Sequence, residues 1–349
     1  MAAQTQPLLQ PTATISGQLL SPTLPEELIA NILVRLPVRS LLQFKSVSKS
    51  WKTLISDPHF ANTHLRFDTT ITNQQLIFYS SKTEEEPYNI LTYDLKPLFE
   101  ENPSTCVKPV SFTSLNTNKY CLLDSCNGLL CLLDKSQRCL RLFNPSINFK
   151  SKRSPQVNPL HWCISYCGFG YDQIDDKYKF LAVLKNLDNF SETLTKIYTF
   201  GEDSCKTIQN FPYNYAVQFL GEFVSGTLNW LVRSNQSLTI LSFDLNKETY
   251  REVLLPQNDV GEDGVVESWT KLMIIPHEKF RSNSLPAYHP WIVEPLFISE
   301  NGVVLLRDIP ASKFALYNLN TGGVVYPSLS RTLPKYLPVH RESLLSPQW

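Results

Sequence analysis

Three stretches of the chain read as copies of one unit: "NGLLCLLDKSQRCLRLFNPSINFKSKRSP" from Asn127, "SGTLNWLVRSNQSLTILSFDLNKETYREVLLP" from Ser225 and "NGVVLLRDIPASKFALYNLNTGGVVYP" from Asn301. Each sets a Gly before an apolar strand, follows it with a second strand ending in an aromatic and a polar turn, and closes with a third strand that reaches a Pro. The internal spacing agrees: Gly128 to Asn144 is 16 positions, Gly226 to Asp244 is 18, and Gly302 to Asn318 is 16. From Gly128 to Gly226 is 98 positions, or two periods of 49. A period of about 50 belongs to kelch-like propellers, in which each repeat forms one four-stranded blade. The intermediate copy is "CGFGYDQIDDKYKFLAVLKNLDNFSETLTKIYTFGEDSCKTIQNFP", from Cys167.

Residues 66 to 349 number 284, room for about six blades of that period. One interval breaks the rule, because Gly226 to Gly302 is 76 positions, 22 short of 98. The shortfall lies between "YREVLLP" and "ESWTKLMIIP", where "QNDVGEDGVV" is too short and too acidic to begin a blade. One blade is therefore expected to be incomplete, leaving neighbouring strand edges in need of cover.

Ahead of the repeats the texture differs. Residues 1 to 23 carry no charge and no periodicity and read as a disordered tail. From Leu24 the pattern is helical: Leu28, Ile29, Ile32, Leu33 and Leu36 share one face, Pro25 suits the first turn, and Glu26 and Glu27 suit the positive end of the helix. Pro37 ends that helix. A second is expected with Leu41, Phe44, Val47, Ser48, Trp51 and Ile55 as its stripe, Arg39, Lys45, Lys49 and Lys52 left to solvent, and a stop at Asp57-Pro58. After about Phe67 the chain turns to short strands, and the repeats are expected to bury their faces on one another rather than on the helical arm.

Composition excludes several function classes. The 32 basic and 32 acidic residues cancel, so no whole-molecule field draws the chain to nucleic acid or to anionic lipid. The first basic residue is Arg35, so the start lacks the positive region of a secretory signal. A cytoplasmic and/or nuclear protein with reduced cysteines is expected, and the sequons at Asn189 and Asn235 read as chance matches. Cys121, Cys126, Cys131 and Cys139 lack the close pairs of a zinc site and read as core cysteines on strands. His161, Cys163 and Cys167 are no better spaced for a metal. "GFGYD" from Cys167's neighbour Gly168 has no third Gly opening a helix, so tight packing at a blade start explains it better than a dinucleotide. With no nucleophile elbow and no phosphate loop, no catalytic residue, cofactor or metal is assigned. "TEEEP" from Thr83 reads as a solvated turn. Trp162, Tyr213, Tyr215 and Trp230 fit core packing between blades better than target recognition.

Taken together, "LPEELIANILVRLPVRSLLQFKSVSKSWKTLISDPHF" resembles an F-box, with its Leu-Pro-Glu opening, its Arg-Leu-Pro break and its Ser-Lys-Ser-Trp. "SCNGLLCL", "LFNPSINF", the segment from Cys167 to Asp172, "LSFDLNKETYREVLLP", "ESWTKL" and "HRESLLSP" resemble, in order, the plant F-box-associated (F-box/kelch-repeat) proteins. The chain departs from that pattern in lacking the stretch before "ESWTKL" and a double Gly in each repeat. The resemblance implies a mainly β protein: a tail at 1–23, an F-box helical hairpin at 24–66, and a propeller-like substrate-recognition domain at 67–349. It implies a non-catalytic subunit of a Skp–cullin–F-box ubiquitin ligase that binds a Skp-family adaptor, through it a cullin, and an unknown target protein. Carried over by position, the adaptor anchors are Leu24, Pro25, Leu28, Ile32, Leu33, Leu36, Pro37, Leu41, Val47 and Trp51, as in a helix-in-groove interface. The plainer alternative makes the same side chains the core of a helical subdomain. The rivals at the level of function are a stand-alone propeller enzyme or glycan-binding module, and an inactive relative with a truncated blade.

Overall fold

The computed structural model describes residues 24–67, 74–80, 89–99, 111–114, 119–234, 237–254, 273, 293–308, 313–327 and 339–346. The N-terminal tail, the "TEEEP" turn and the shortened interval from Pro256 to Trp269 lie outside them.

Four helices open the described chain: α1 (Glu26–Leu33), α2 (Val38–Phe44), α3 (Lys49–Ser56) and α4 (Pro58–Phe67). The single second helix read from the sequence is two, because the chain turns at Lys45–Val47 and Ser48 starts α3 afresh, its Oγ accepting the Trp51 N–H at 3.1 Å. Asp57-Pro58 stops α3 as expected, and it also begins another helix. Asp57 Oδ1 accepts the N–H groups of His59 (2.7 Å) and Phe60 (3.1 Å), while Pro58 takes the first helical position, where a missing N–H costs nothing.

The remainder is mainly β, in four-stranded antiparallel units that follow one another along the chain, the third and fourth joined by one parallel strand pair into an eight-stranded sheet. β1 (Gln74–Ser80), β2 (Asn89–Asp94) and, after the one-turn α5 (Lys96–Phe99), β3 (Ser111–Ser114) form most of the first. The second is β4 (Tyr120–Cys126), β5 (Leu129–Asp134), β6 (Cys139–Asn144) and β7 (Phe149–Lys150). The third is β8 (Trp162–Asp172), β9 (Lys177–Asn186), β10 (Thr193–Thr199) and β11 (Cys205–Thr207), and the fourth is β12 (Leu220–Val224), β13 (Thr227–Ser234), β14 (Ser237–Asp244) and β15 (Thr249–Leu254). The fifth is β16 (Val293–Ile298), β17 (Val303–Asp308), β18 (Lys313–Asn318) and β19 (Val324–Val325). Finally β20 (Val339–Arg341) returns to the first unit and pairs with β1 through Gln74↔Arg341, Gln75↔His340 and Leu76↔Val339.

Apolar clusters show how the units follow one another. Ile77 of the first packs with Leu122, Leu130 and Phe143 of the second. Leu123 and Leu142 of the second meet Phe169 and Phe180 of the third. Leu181 and Ile197 of the third meet Trp230 and Phe243 of the fourth, and Leu305 and Phe314 of the fifth meet Leu76 and Tyr93 of the first. Successive sheets packed face to face, with the last strand completing the first unit, are the architecture of a propeller.

Two local rules explain why the repeats fold alike. In two of the three copies the recurrent Gly sits in a two-residue hairpin turn with both residues in the left-handed region: Asn127 (φ 52°) with Gly128 (φ 78°), and Ser225 (φ 46°) with Gly226 (φ 85°). Such turns match the twist of the flanking strands. The recurrent Asp or Asn ends a strand at Asp134, Asn144, Asp172, Asp244 and Asn318, and its Oδ1 accepts the N–H two residues on. Four residues on, the chain again takes positive φ, at Arg138, Asn148, Asp176, Glu248 and Gly322. The side chain satisfies the turn's backbone, which is what makes it a local instruction.

"GFGYD" serves close packing. β8 and β12 run parallel, with Cys167↔Leu220 and Gly168↔Gly221 as partners. A Cβ on Gly221 would stand 2.4 Å from the Trp230 ring, and one on Gly168 would stand 2.9 Å from Leu228, so only glycines let that indole lie across the contact. The same junction carries a buried ion pair, Lys179 Nζ to Asp172 Oδ2 at 2.7 Å, and Lys179 also donates to the Leu245 carbonyl at 3.0 Å.

The expectation that the repeats would not lean on the arm requires revision. Leu33, Val38, Leu41, Ile55, Phe60 and Leu65 of the helices share one apolar cluster with Leu123, Leu140, Phe169 and Leu344 of the β domain. Chain separation at Phe67 is therefore not separation of cores.

Candidate functional site

The helices present two opposite environments. Leu28 (48% exposed) and Ile32 (52%) stand one turn apart on α1, with Leu24 (57%) just ahead of it and Val47 (60%) in the turn before α3. Pro25 and Pro37 are also exposed. Adjacent to Ile32, Leu33 is 1% exposed and, on α2, Leu41 is fully buried. Leu36 and Trp51 are half-buried: the Leu36 carbonyl lies 2.8 Å from His64 Nε2, and Trp51 packs edge-on against Phe44 with ring centroids 5.6 Å apart. The ten anchors read from the sequence thus divide. Six face solvent, two sit at the rim, and Leu33 and Leu41 hold the helices to the β domain.

An apolar row left in water on a short helical segment is a surface waiting for cover, because each large aliphatic side chain gains about 1.5 to 3 kcal/mol on full burial. Its position is fixed from behind. Arg39 of α2, expected in solvent, instead binds Glu342 (3.0 Å) and Asp94 (3.6 Å). Gln75 Nε2 donates to both of those carboxylates at 2.8 Å. Burial pushes the Glu342 carboxyl above its ordinary range, with Arg39 acting against that. Beyond it, Asn144 Nδ2 donates to the carbonyls of Ser343 and Leu345, each at 2.9 Å. The chain's last described segment therefore completes the first β unit, ties it to the second and holds the helices.

The β domain carries a cavity of about 260 Å³ where β4, β12, β16 and β20 converge, lined by Asp124, Glu222, Glu294 and Arg307 among others. Asp124 is pushed up to about 8 by its burial, and Glu222 is raised by burial and by Glu294. Glu294 is paired with Arg307 at 3.3 Å. Neither acid was legible beforehand, since Asp124 faces the cavity only because a bulge between Leu122 and Asp124 re-aims β4.

Of the residues weighed for chemistry, Cys126, Cys131 and Cys139 are buried on β4, β5 and β6, where loss of solvation raises their thiol pKa values. Cys121 is half-buried and Cys167 buried, so these are strand-core thiols with depressed reactivity. Exposed His161 pairs outward with Asp188 at 3.4 Å. Trp230 is fully buried and Trp162 packs on the main cluster. Tyr213 bonds Glu252, and Tyr215 alone of the four is strongly exposed, at 58%.

Comparison with known proteins matches residues 22–63 to the F-box domain and residues 72–278 to the F-box associated beta propeller domain. An F-box/kelch-repeat protein of Arabidopsis thaliana is 31% identical over 87% of this chain and 90% of its own length. An F-box protein of the same plant is 33% identical over 67% of this chain and 61% of its own. Among solved structures, a chain of a nidogen/laminin complex aligns with 77% of this chain and 85% of its own at 11% identity and a TM-score of 0.34, a likeness that carries no argument.

Proposed function

This chain belongs to the F-box proteins that carry an F-box-associated β-propeller domain, and on that premise we propose that it is the substrate-recognition subunit of a Skp–cullin–F-box ubiquitin ligase. The observation that carries the reading is the exposed row Leu24, Leu28, Ile32 and Val47 on the helices matched as the F-box, held in place by buried Leu33 and Leu41. The row docks on a Skp-family adaptor, which brings a cullin, and the β domain captures a target protein. The chain supplies proximity and no catalytic groups. It works in the cytoplasm or nucleus, where that machinery operates.

The test is affinity purification of the tagged full chain from plant cells, beside the double variant Leu28→Asp, Ile32→Asp. Native protein is expected to recover an adaptor and a cullin, and the variant to lose both while its circular dichroism is unchanged. Equal recovery by a folded variant would contradict the reading.

A further inference from the structure

A second cavity, about 470 Å³, lies where α4 meets the β domain. Four separated segments build it: Asn62 and Arg66 of α4, Asn127 of the β4–β5 turn, Tyr171 and Gln173 at the end of β8, and Arg341 of β20. Two guanidinium groups, three amides and Leu65 line it with Tyr171, and among the described residues no carboxylate does. Asp176 stands at its edge, accepting the Tyr171 hydroxyl, while Asp172 is held by Lys179 at 2.7 Å and Glu342, next to Arg341, by Arg39 at 3.0 Å. Arg66 enters no ion pair among the described residues and lies close enough to Tyr171 to oppose the rise of that phenol's pKa.

An anion at the opening can accept from the Arg66 guanidinium and from the amides around it, with the Arg341 guanidinium beside them. Guanidinium groups prefer partners with two or more coplanar oxygens, above all phosphate and carboxylate. The size lies within the usual span of small-ligand sites, about 300 to 1,000 Å³. We propose that this cavity is an anion site that takes a phosphate monoester, borne either by a small metabolite or by a phosphorylated side chain. Because the site draws on α4 and on β20 together, its ligand bridges the F-box helices and the strand that completes the first β unit. The inference does not depend on ligase function and holds whether or not the α1 face binds an adaptor.

The probes are glycerol 3-phosphate, a phosphoserine peptide and, as a control, unphosphorylated glycerol, titrated into the full-length protein by calorimetry at two salt concentrations. At least one phosphorylated probe is expected to bind saturably and more weakly at high salt, with no response to glycerol. Arg66→Gln, at an exposed position, is expected to weaken that binding at least about tenfold at an unchanged melting temperature, and Arg66→Lys to recover part of it. Tighter binding of the peptide identifies a phosphorylated side chain as the source, and tighter binding of glycerol 3-phosphate identifies a small metabolite. Absence of saturable binding by both phosphorylated probes, or undiminished affinity in Arg66→Gln, overturns the proposal.

Discussion

The outward row of α1 and the segment from Val339 to Leu345 both carry large aliphatic side chains, yet they are finished differently. Around the second, Ser343 is fully buried, Leu344 and Leu345 join the main core, and Asn144 and Gln75 satisfy the local carbonyls and carboxylates. Around the first, Leu24, Leu28, Ile32 and Val47 remain about half in water. The C-terminal leucines are packed within the chain, whereas the α1 row is left in water. Burial thus separates residues that hold the core from those free to meet a partner, even where they are sequence neighbours such as Ile32 and Leu33.

The sharpest attack on the internal side is Gly128→Ala. Gly128 has φ 78°, and a Cβ there would stand 2.4 Å from Ser343 Oγ and 2.6 Å from the Arg341 carbonyl oxygen. Strain and collision together are expected to cost on the order of 3 kcal/mol or more, read by chemical denaturation. A near-neutral result would show that the C-terminal segment is not seated on the β4–β5 turn.

Next in size is the neighbouring pair on α1. Leu33→Ala is expected to cost about 2 to 5 kcal/mol of stability, and Ile32→Ala less than about 0.5 kcal/mol. For adaptor affinity the order reverses, with Ile32→Ala costing about 1 to 2 kcal/mol. If denaturation curves of the two variants coincide, the division drawn above fails.

A smaller effect is expected from Arg39→Ala. The Arg39 side chain is substantially exposed, at 43%, which screens its pair with Glu342. A loss of about 1 kcal/mol is expected, with part of it restored by Glu342→Gln, since the neutral amide no longer needs the cation. Additive losses in the double variant would mean that the two side chains are not coupled.

A probe of a different kind is pH. His340 is buried with neither ring nitrogen partnered among the described residues, and its pKa is lowered to about 3 by burial, so its contribution is present above about 6.5 and is lost as pH falls toward 3. Asp124 is raised to about 8, so its contribution is present below about 4 and is lost as pH rises toward 8. The two slopes oppose each other between those limits, and a stability plateau at about pH 4 to 6.5 is expected from them. Asp124→Asn should remove the fall above the plateau, and His340→Leu the fall below it. Melting temperatures across pH check both limbs.

Much of this was legible in the sequence. The Gly and Asx spacing marked the repeats because each residue writes its own turn, and the α1 stripe marked a helix. Arg39, Glu342 and Asn144 were not legible as a group, because they lie up to 303 positions apart and meet only when β20 returns to β1. Nor does helical spacing tell Ile32 from Leu33, since both are large and aliphatic and only the packed β domain buries one of them. The break at Lys45–Val47 was hidden by a stripe that continues in phase through it.

Hydrogen exchange of the full chain, with and without a Skp-family adaptor, tests the contrast directly. Protection is expected to rise across residues 24 to 48 when the adaptor is added and to stay constant at residues 339 to 346, whose partners are already in place. Unchanged exchange on the α1 side, or a gain confined to the C-terminal segment, would contradict the account.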